Sequence, residues 1–426
     1  MSKQKKGGTM KALLMSTALA AFGLWSSASL AETNLTYMMW GDPPEIAVWE
    51  AIVAEFETAN PDIKVKVEVA DWDSYWDKLR VTTVGGNPPD IFAMDAPLYP
   101  DWQSRGSLLN LTPYLDAAPA TLEGVYPGPL SAYQLEAGTF GLPRDFQTIV
   151  LFYNKAMFDA AGVAYLDDSW TLDDLRTAAK ALTIDKDGDG QTDQWGLSTE
   201  LWDMEPTWGS VLYGYGGAPL NADNTKTTLA DGPAVDAWTY LSQFYLEDGS
   251  IMSAEDLESY GYDGFLAGVA AMTFSGHWVV PGYSSLEFDW DVAPFPKGPA
   301  GRATLVNSAG IVISSTTPNP DAAWKFVQFV ISEKGQSKLT ELGFAIPVID
   351  KVANSPVYLQ QAAKGNHKVF LDALQYAHTK PSFRGYEEWS AVVGDTLGLV
   401  WTGEMSIADA LAEIPAAADE ALANNQ

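Results

Sequence analysis

Between residues 34 and 95 the chain passes through five segments of alternating hydrophobic period, and that alternation limits the fold more than any other feature. NLTYMMWG reads as a strand ending at Trp40-Gly41. In PPEIAVWEAIVAEFETANP, Trp49, Ile52, Val53 and Phe56 recur at i, i+3, i+4 and i+7, the spacing of one helix face, and Asn60-Pro61 ends it. IKVKVEVADWD alternates strictly and closes at Asp71-Trp72; SYWDKLRVTTV reads as a helix, GGNPPD as a turn and DIFAMD as a third strand. Strand–helix–strand–helix–strand predicts an α/β fold, a mainly parallel sheet with helices on both faces.

The pattern resumes with other lengths. GTFGLPRDFQTIVLFYNK predicts a pair of strands around a proline, followed by a helix in AMFDAAG. SWTLDDLRTAAKAL predicts a helix with Thr171 as N-cap and Asp174 completing a capping box. VAAMTF and SAGIVIS read as strands, PDAAWKFVQFVISEKGQSKLTELG as one long amphipathic helix, and the tail ADALAEIPAAADEALANNQ as helical. There is no internal repeat and no low-complexity linker. Trp49 and Trp324 lie on core-facing stripes and are expected to pack.

The first residues are expected to be removed. MSKQKKGGTMK carries four lysines, ALLMSTALAAFGLW is an apolar run too short to span a bilayer, and SSASLA ends in a small-x-small pattern, so cleavage after Ala31 is expected. The start codon is Met1 or Met10. The chain has no cysteine, so neither a disulfide nor a lipid on a lipobox cysteine is available. These features predict a soluble protein of a bacterial periplasm. The remaining chain has 21 basic and 55 acidic residues, a formal charge of −34, which repels nucleic acid and tolerates neutral or cationic ligands. About 395 residues exceed what one core usually fills, so two lobes are expected.

One stretch has the spacing of a cation loop. In DKDGDGQTDQWG, Asp185, Asp187 and Asp189 take positions 1, 3 and 5 of an EF-hand-like loop, Gly190 position 6, Gln191 position 7 and Asp193 position 9. Position 12 is Gly196 instead of the bidentate glutamate, and Glu200 is the nearest glutamate that could complete the shell. The alternative is a solvated turn whose Asp and Gly suit the backbone. The expectation is a structural calcium ion; no cofactor is expected for function.

Strand ends are where open α/β sheets bind ligands. They carry Trp40 and Asp42, then Asp71 and Trp72, then Asp95. Carboxylates bond hydroxyls strongly and aromatic rings pack on the C–H face of a sugar, so this set suits a carbohydrate. Each also has a bland role: an Asp after a strand can cap the next helix, and Trp72 can pack beneath a lobe.

Five segments in order resemble a known family. They are GGNPPDIFAMDAPLYPDWQSRGSLLNLTPYL, GLPRDFQTIVLFYNK, AAMTFSGHWVV, SAGIVISSTTPNPDAAWKFVQFVIS and FAIP. Together they resemble the periplasmic solute-binding proteins of carbohydrate ABC transporters, family 1, which are maltose-binding-protein-like. The resemblance implies two lobes, each a mainly parallel sheet with flanking helices, joined by crossing hinge strands, with a sugar held between them and a closed form presented to the membrane permease. By that analogy one lobe is 32–143 with 307–350, and the other is 147–305 with 351–426. It implies a monomer and no direct membrane insertion.

Further site residues follow from the resemblance alone. Trp278 falls where the family places a sugar-stacking ring, and His277 beside it could donate to a hydroxyl or serve a structural role. Gln147 falls where the maltose binder has a sugar-binding glutamate. Trp208 lies in EPTW, resembling a Glu-Pro-Tyr segment, and Arg384 and Trp389 lie in the region of another stacking residue. Pro97-Leu98 replaces an Asp-Arg pair, which departs from a maltodextrin site. Two rival functions remain open at this stage: a polyamine or other cationic-solute binder, which the charge permits, and a secreted glycosidase, which would also carry paired carboxylates. The sequence has no GxSxG, no phosphate loop and no histidine-containing metal motif.

Overall fold

The computed structural model describes residues 32–41, 43–201, 203–361 and 364–424; the expected leader and Asp42 lie outside them. Strand β1 (Thr33–Trp40) leads to helix α1 (Pro43–Ala59), β2 (Ile63–Ala70), α2 (Trp72–Val84) and β3 (Ile91–Asp95). β1 pairs in parallel with both β2 and β3, as the alternating periods predict. One boundary moves. Asp71 ends no strand; its carboxylate accepts the Ser74 N–H at 3.0 Å and caps α2, so Trp72 opens the helix.

The chain leaves this sheet along β4 (Gly141–Thr148) and, after Ile149 alone, enters the second sheet as β5 (Val150–Asn154). Helix α3 (Leu172–Leu182) follows, with the capping box between Thr171 and Asp174 formed in both directions. Next come β6 (Trp195–Ser198), β7 (Ala270–Ser275) and β8 (Trp290–Ala293). The second sheet has the order β8-β5-β7-β6. β6 and β7 are parallel, whereas β5 runs against both its neighbours because it enters from the crossing end.

Strand β9 (Thr304–Ile313) returns to the first sheet between β3 and β4, antiparallel to each. The expected long helix after it is two, α4 (Pro320–Val330) and α5 (Glu333–Glu341). The break is chemical: Ser332 leaves the helix to cap α5 by accepting the Gly335 N–H at 3.1 Å. A Cβ on Gly335 would stand 2.1 Å from the Phe329 carbonyl oxygen, so only glycine permits that turn. The short strand β10 (Ala377–Thr379) then pairs in parallel with the start of β9. Helices α6 (Tyr386–Trp401) and α7 (Ile407–Asn424) close the chain.

Three segments thus cross between the sheets, at Thr148–Val150, Thr304–Val306 and Thr379–Lys380. They are tied together: Thr304 Oγ1 donates to the Ile149 carbonyl at 2.6 Å, and the Lys380 N–H to the Val306 carbonyl at 3.2 Å. The stretch 346–370 touches both lobes, since Val352 and Tyr358 share an apolar cluster with Phe152 and Trp290 while the helices Asp350–Ala353 and Pro356–Leu359 pack on α5. Trp49 and Trp324 are buried, as their helical stripes predict.

Candidate functional site

The carboxyl ends of β1, β3, β6 and β7 point toward the crossing. On the first lobe Trp40, half-buried at the end of β1, meets Trp72 edge-on at 5.0 Å and lies over Trp76 at 5.8 Å. Trp72 keeps 46% of its surface exposed, so these rings form a wall rather than a plug. Beneath them Arg144 is sandwiched by Trp40, Trp49 and Phe344, with its guanidinium carbon 5.5, 4.9 and 5.5 Å from the three ring centroids. Its Nε donates to Asp145 at 2.7 Å and its Nη1 to the Tyr37 hydroxyl at 3.0 Å. Asp71 is exposed but committed to the α2 cap.

On the second lobe Trp278 follows β7 and is half-buried. Its ring lies on Gly276, where a Cβ would come within 1.9 Å of Cζ3. Glycine is therefore needed to seat this ring at the strand end. His277 is turned the other way and fully buried; its Nε2 stands 2.9 Å from His367 Nδ1, and burial, then His367, holds its pKa well below the usual value. It packs against Tyr358 and Phe370, so of the two roles open to it, hydroxyl donor or structural residue, the structure gives the structural one. Gln147 is buried on β4, and its Oε1 accepts the His277 N–H at 3.0 Å.

Two other expected rings also belong to the core. Trp208 packs on Trp238 at 5.3 Å between centroids, and Trp389 is enclosed on α6 with its Nε1 donating to Thr227 Oγ1 at 2.9 Å. Both are buried because helical and turn spacing aims them inward, so neither offers a face to a ligand. Arg384 is exposed on the turn before α6.

The residues that close the floor of the cleft were mostly not singled out in the sequence. Asp95, at the end of β3 and 5% exposed, accepts the Asn307 Nδ2–H at 2.8 Å. The same nitrogen donates its second hydrogen to Glu205 Oε2 at 2.9 Å, so one amide on β9 joins a carboxylate from each lobe. Glu205 is 9% exposed and also receives Lys380 Nζ at 3.3 Å. Burial pushes Glu205 up to about 7 against the pull of Lys380, with Asp95 and Asp203 adding to the rise. Burial likewise raises Asp95, against Lys380 and Asn307. Glu200, on the loop after β6, is pushed up to about 7 by burial and then by Asp203, Asp73 and Asp263. Asp73 belongs to α2, so the first lobe faces this loop. The signal was legible in part: EPTW holds Glu205 two residues after Asp203, and Asn307 directly precedes SAGIVIS.

The sequence model of the bacterial extracellular solute-binding proteins matches residues 40–337. The chain belongs to that family. Relatives along the whole length include a putative binding protein of Brucella abortus, 24% identical over 95% of this chain and 96% of its own. A galactooligosaccharide-binding protein of Bacillus subtilis is 23% identical over 91% and 89%. An erythritol/L-threitol-binding protein of Mycolicibacterium smegmatis is 23% identical over 88% and 83%. Among solved structures, the Listeria monocytogenes ABC substrate-binding protein Lmo0181 in complex with cycloalternan superposes with a TM-score of 0.85 at 26% identity, covering 92% of this chain and 99% of that one. The GacH receptor of Streptomyces glaucescens shares the fold with a TM-score of 0.78 at 22% identity, over 92% and 100%.

The two walls of this solute-binding protein carry aromatic rings on both lobes, and carboxylates from each are joined across the crossing by Asn307. Among the described residues no helix is long and apolar enough to cross a membrane. The acidic loop of this solute-binding protein lies elsewhere. Carboxylate oxygens of Asp185, Asp187 and Asp193 come within 4.8 Å of one another, all three residues exposed. Asp189 turns its Oδ1 onto the Gln191 N–H at 2.7 Å and stands outside that trio. Asp185 accepts the Gly190 and Gly188 N–H groups at 2.9 and 2.7 Å, and these bonds lower its pKa. Glu200 is not among the carboxylates brought together there. The loop precedes β6 and Glu200 follows it, roughly 15 Å away at the rise of an extended strand.

Proposed function

We propose that this chain captures a sugar, whether oligosaccharide, glycoside or sugar alcohol, between its lobes and delivers it to the permease of an ABC importer from the bacterial periplasm. The observation that carries the reading is the amide of Asn307 bonded at once to Asp95 and Glu205. Hydroxyls of one small ligand would meet acceptors of both lobes there, while Trp40, Trp72 and Trp278 supply apolar faces. A ligand touching both lobes favours the closed arrangement by its differential affinity, and hinge motion at three short crossings suffices. The chain acts by binding and carries out no chemistry on the sugar.

A thermal-shift screen tests this with galactotriose, cycloalternan, tagatose, erythritol and the polyamines putrescine and spermidine. A sugar at a hundred times its Kd stabilises the folded state by about 2.7 kcal/mol, a readily measured rise in Tm. A rise with polyamines alone would overturn the sugar reading, and release of products from glycosides would overturn the binding role.

The reading gives the acidic loop a structural calcium ion held by Asp185, Asp187 and Asp193, remote from the cleft. Chelation should lower the Tm in EDTA-treated protein, restored by calcium, while the affinity of the sugar found in the screen changes less than about twofold, under 0.5 kcal/mol. A Tm indifferent to EDTA would remove the ion; a large loss of affinity would move it to the site.

A further inference from the structure

The third crossing carries a lysine whose charge is almost wholly enclosed. Lys380 is 8% exposed, and its N–H bonded to the Val306 carbonyl sets its side chain beside Asn307. Its Nζ is 3.3 Å from Glu205 Oε2, and Asn307 links that carboxylate to Asp95. The groups that act on it come from three elements: Asp95 from the end of β3, Asp203 and Glu205 from the loop after β6, and the Tyr386 phenol from α6. The Tyr133 phenol, which donates to the Met94 and Ser308 carbonyls, lies near Asp95. Glu205 therefore meets the ammonium directly, and the Asn307 amide joins Asp95 to the same pair.

A buried carboxylate without a counter-charge takes up a proton, and a carboxylic acid accepts a hydroxyl's hydrogen bond far less strongly than a carboxylate does. Burial already lifts Asp95 above its ordinary value and Glu205 to about 7, with Lys380 pulling each back down. Burial works against the charge of Lys380 too, but Tyr386, Asp203, Glu205 and Asp95 outweigh it and keep the ammonium protonated.

We propose that Lys380 is the positioning residue of the interlobe site: its ammonium keeps Glu205 of one lobe, and through Asn307 Asp95 of the other, ionised and in place to accept sugar hydroxyls. The inference rests on the reading of Asp95 and Glu205 as sugar acceptors. Lys380 itself need not touch the sugar.

Infrared difference spectra of the sugar-free protein at pH 8 test the lysine directly. The parent should show no buried carboxylic-acid carbonyl band. Lys380→Met and Lys380→Gln should each gain one, Lys380→Arg should not, and adding Glu205→Gln to Lys380→Met should weaken it. Folded Lys380→Met or Lys380→Gln without the band would overturn the proposal. Should neither variant fold, a carboxylic-acid band in the parent at pH 8 that Glu205→Gln removes would overturn it, and a band appearing in the parent only as pH falls through 7 would support it. In binding, Lys380→Met should lose about fivefold or more in affinity at pH 7 and recover most of it at pH 9.5, because a pKa of about 7 leaves half of the Glu205 carboxylate ionised at pH 7 in the parent and a rise of one unit leaves about a tenth. A loss equal at both pH values would mark a purely structural role and also overturn it. The reading of the site is judged separately, by the Tm rises of Asp95→Asn and Glu205→Gln with galactotriose, cycloalternan, tagatose and erythritol. Rises equal to the parent's would overturn that reading and, with it, the role of Lys380 in binding.

Discussion

Glu200→Gln should make the protein more stable at pH 8 and leave its stability unchanged near pH 4. Glu200 is mostly buried beside Asp203, Asp73 and Asp263, and burial followed by those charges lifts its pKa from 4.5 to about 7. Between these two values the folded chain holds a proton that the unfolded chain has released. Stability therefore falls as pH rises through this window, and the penalty is complete above the folded value. A shift of that size corresponds to roughly 3 kcal/mol, which glutamine, having no charge to bury, would return. Urea denaturation at pH 4, 6 and 8 measures it as a midpoint change at constant slope. Equal midpoints for parent and variant at pH 8 would contradict the burial of this charge.

The second large effect is expected at the pair beneath Trp40. Arg144 and Asp145 are both almost completely buried and joined at 2.7 Å. Arg144→Met leaves the Asp145 carboxylate enclosed without its partner, a loss of about 3–5 kcal/mol. Because burial already raises Asp145, with Arg144 as the chief opposing influence, the variant should recover part of this loss at low pH as Asp145 takes up a proton. Arg144→Met with Asp145→Asn should be more stable than Arg144→Met alone at pH 8. Trp40 loses the cation beneath its ring as well, so its fluorescence should respond even where the fold survives. A single variant within 1 kcal/mol of the parent at pH 8 would show that the pair is worth far less than its burial implies.

Much of this protein was legible in its sequence because the information is local. A strand of period 2 or a helix of period 3.6 depends on residues a few positions apart, so β1 to β3, α1 and the Thr171 capping box emerged where expected. Trp49 and Trp324 followed their helical stripes into the core. Caps are local too, yet Asp71 was ambiguous: the same residue type at a strand end serves a helix or a ligand, and here the Ser74 N–H claims it. Ser332 and Gly335 divide a continuous amphipathic pattern, because hydrophobic period alone does not reveal a cap inside it.

The rest was decided by contacts between distant parts of the chain. Trp208, Trp389 and His277 carry the right chemistry for a sugar, but Trp238, Thr227 and His367 enclose them. The converse holds for Asn307 and Lys380, unremarkable in sequence and central in space, because β9 and the segment after β10 return from 212 and 175 positions away to meet Asp95 and Glu205. By itself the sequence determined the α/β elements, the acidic loop and the family pattern, all properties of short windows or of their order. Which carboxylates share one amide, which rings keep a face open and which charge is buried beside which were settled only by tertiary structure. Burial and electrostatic pairing depend on who is near in space, and no local pattern encodes that.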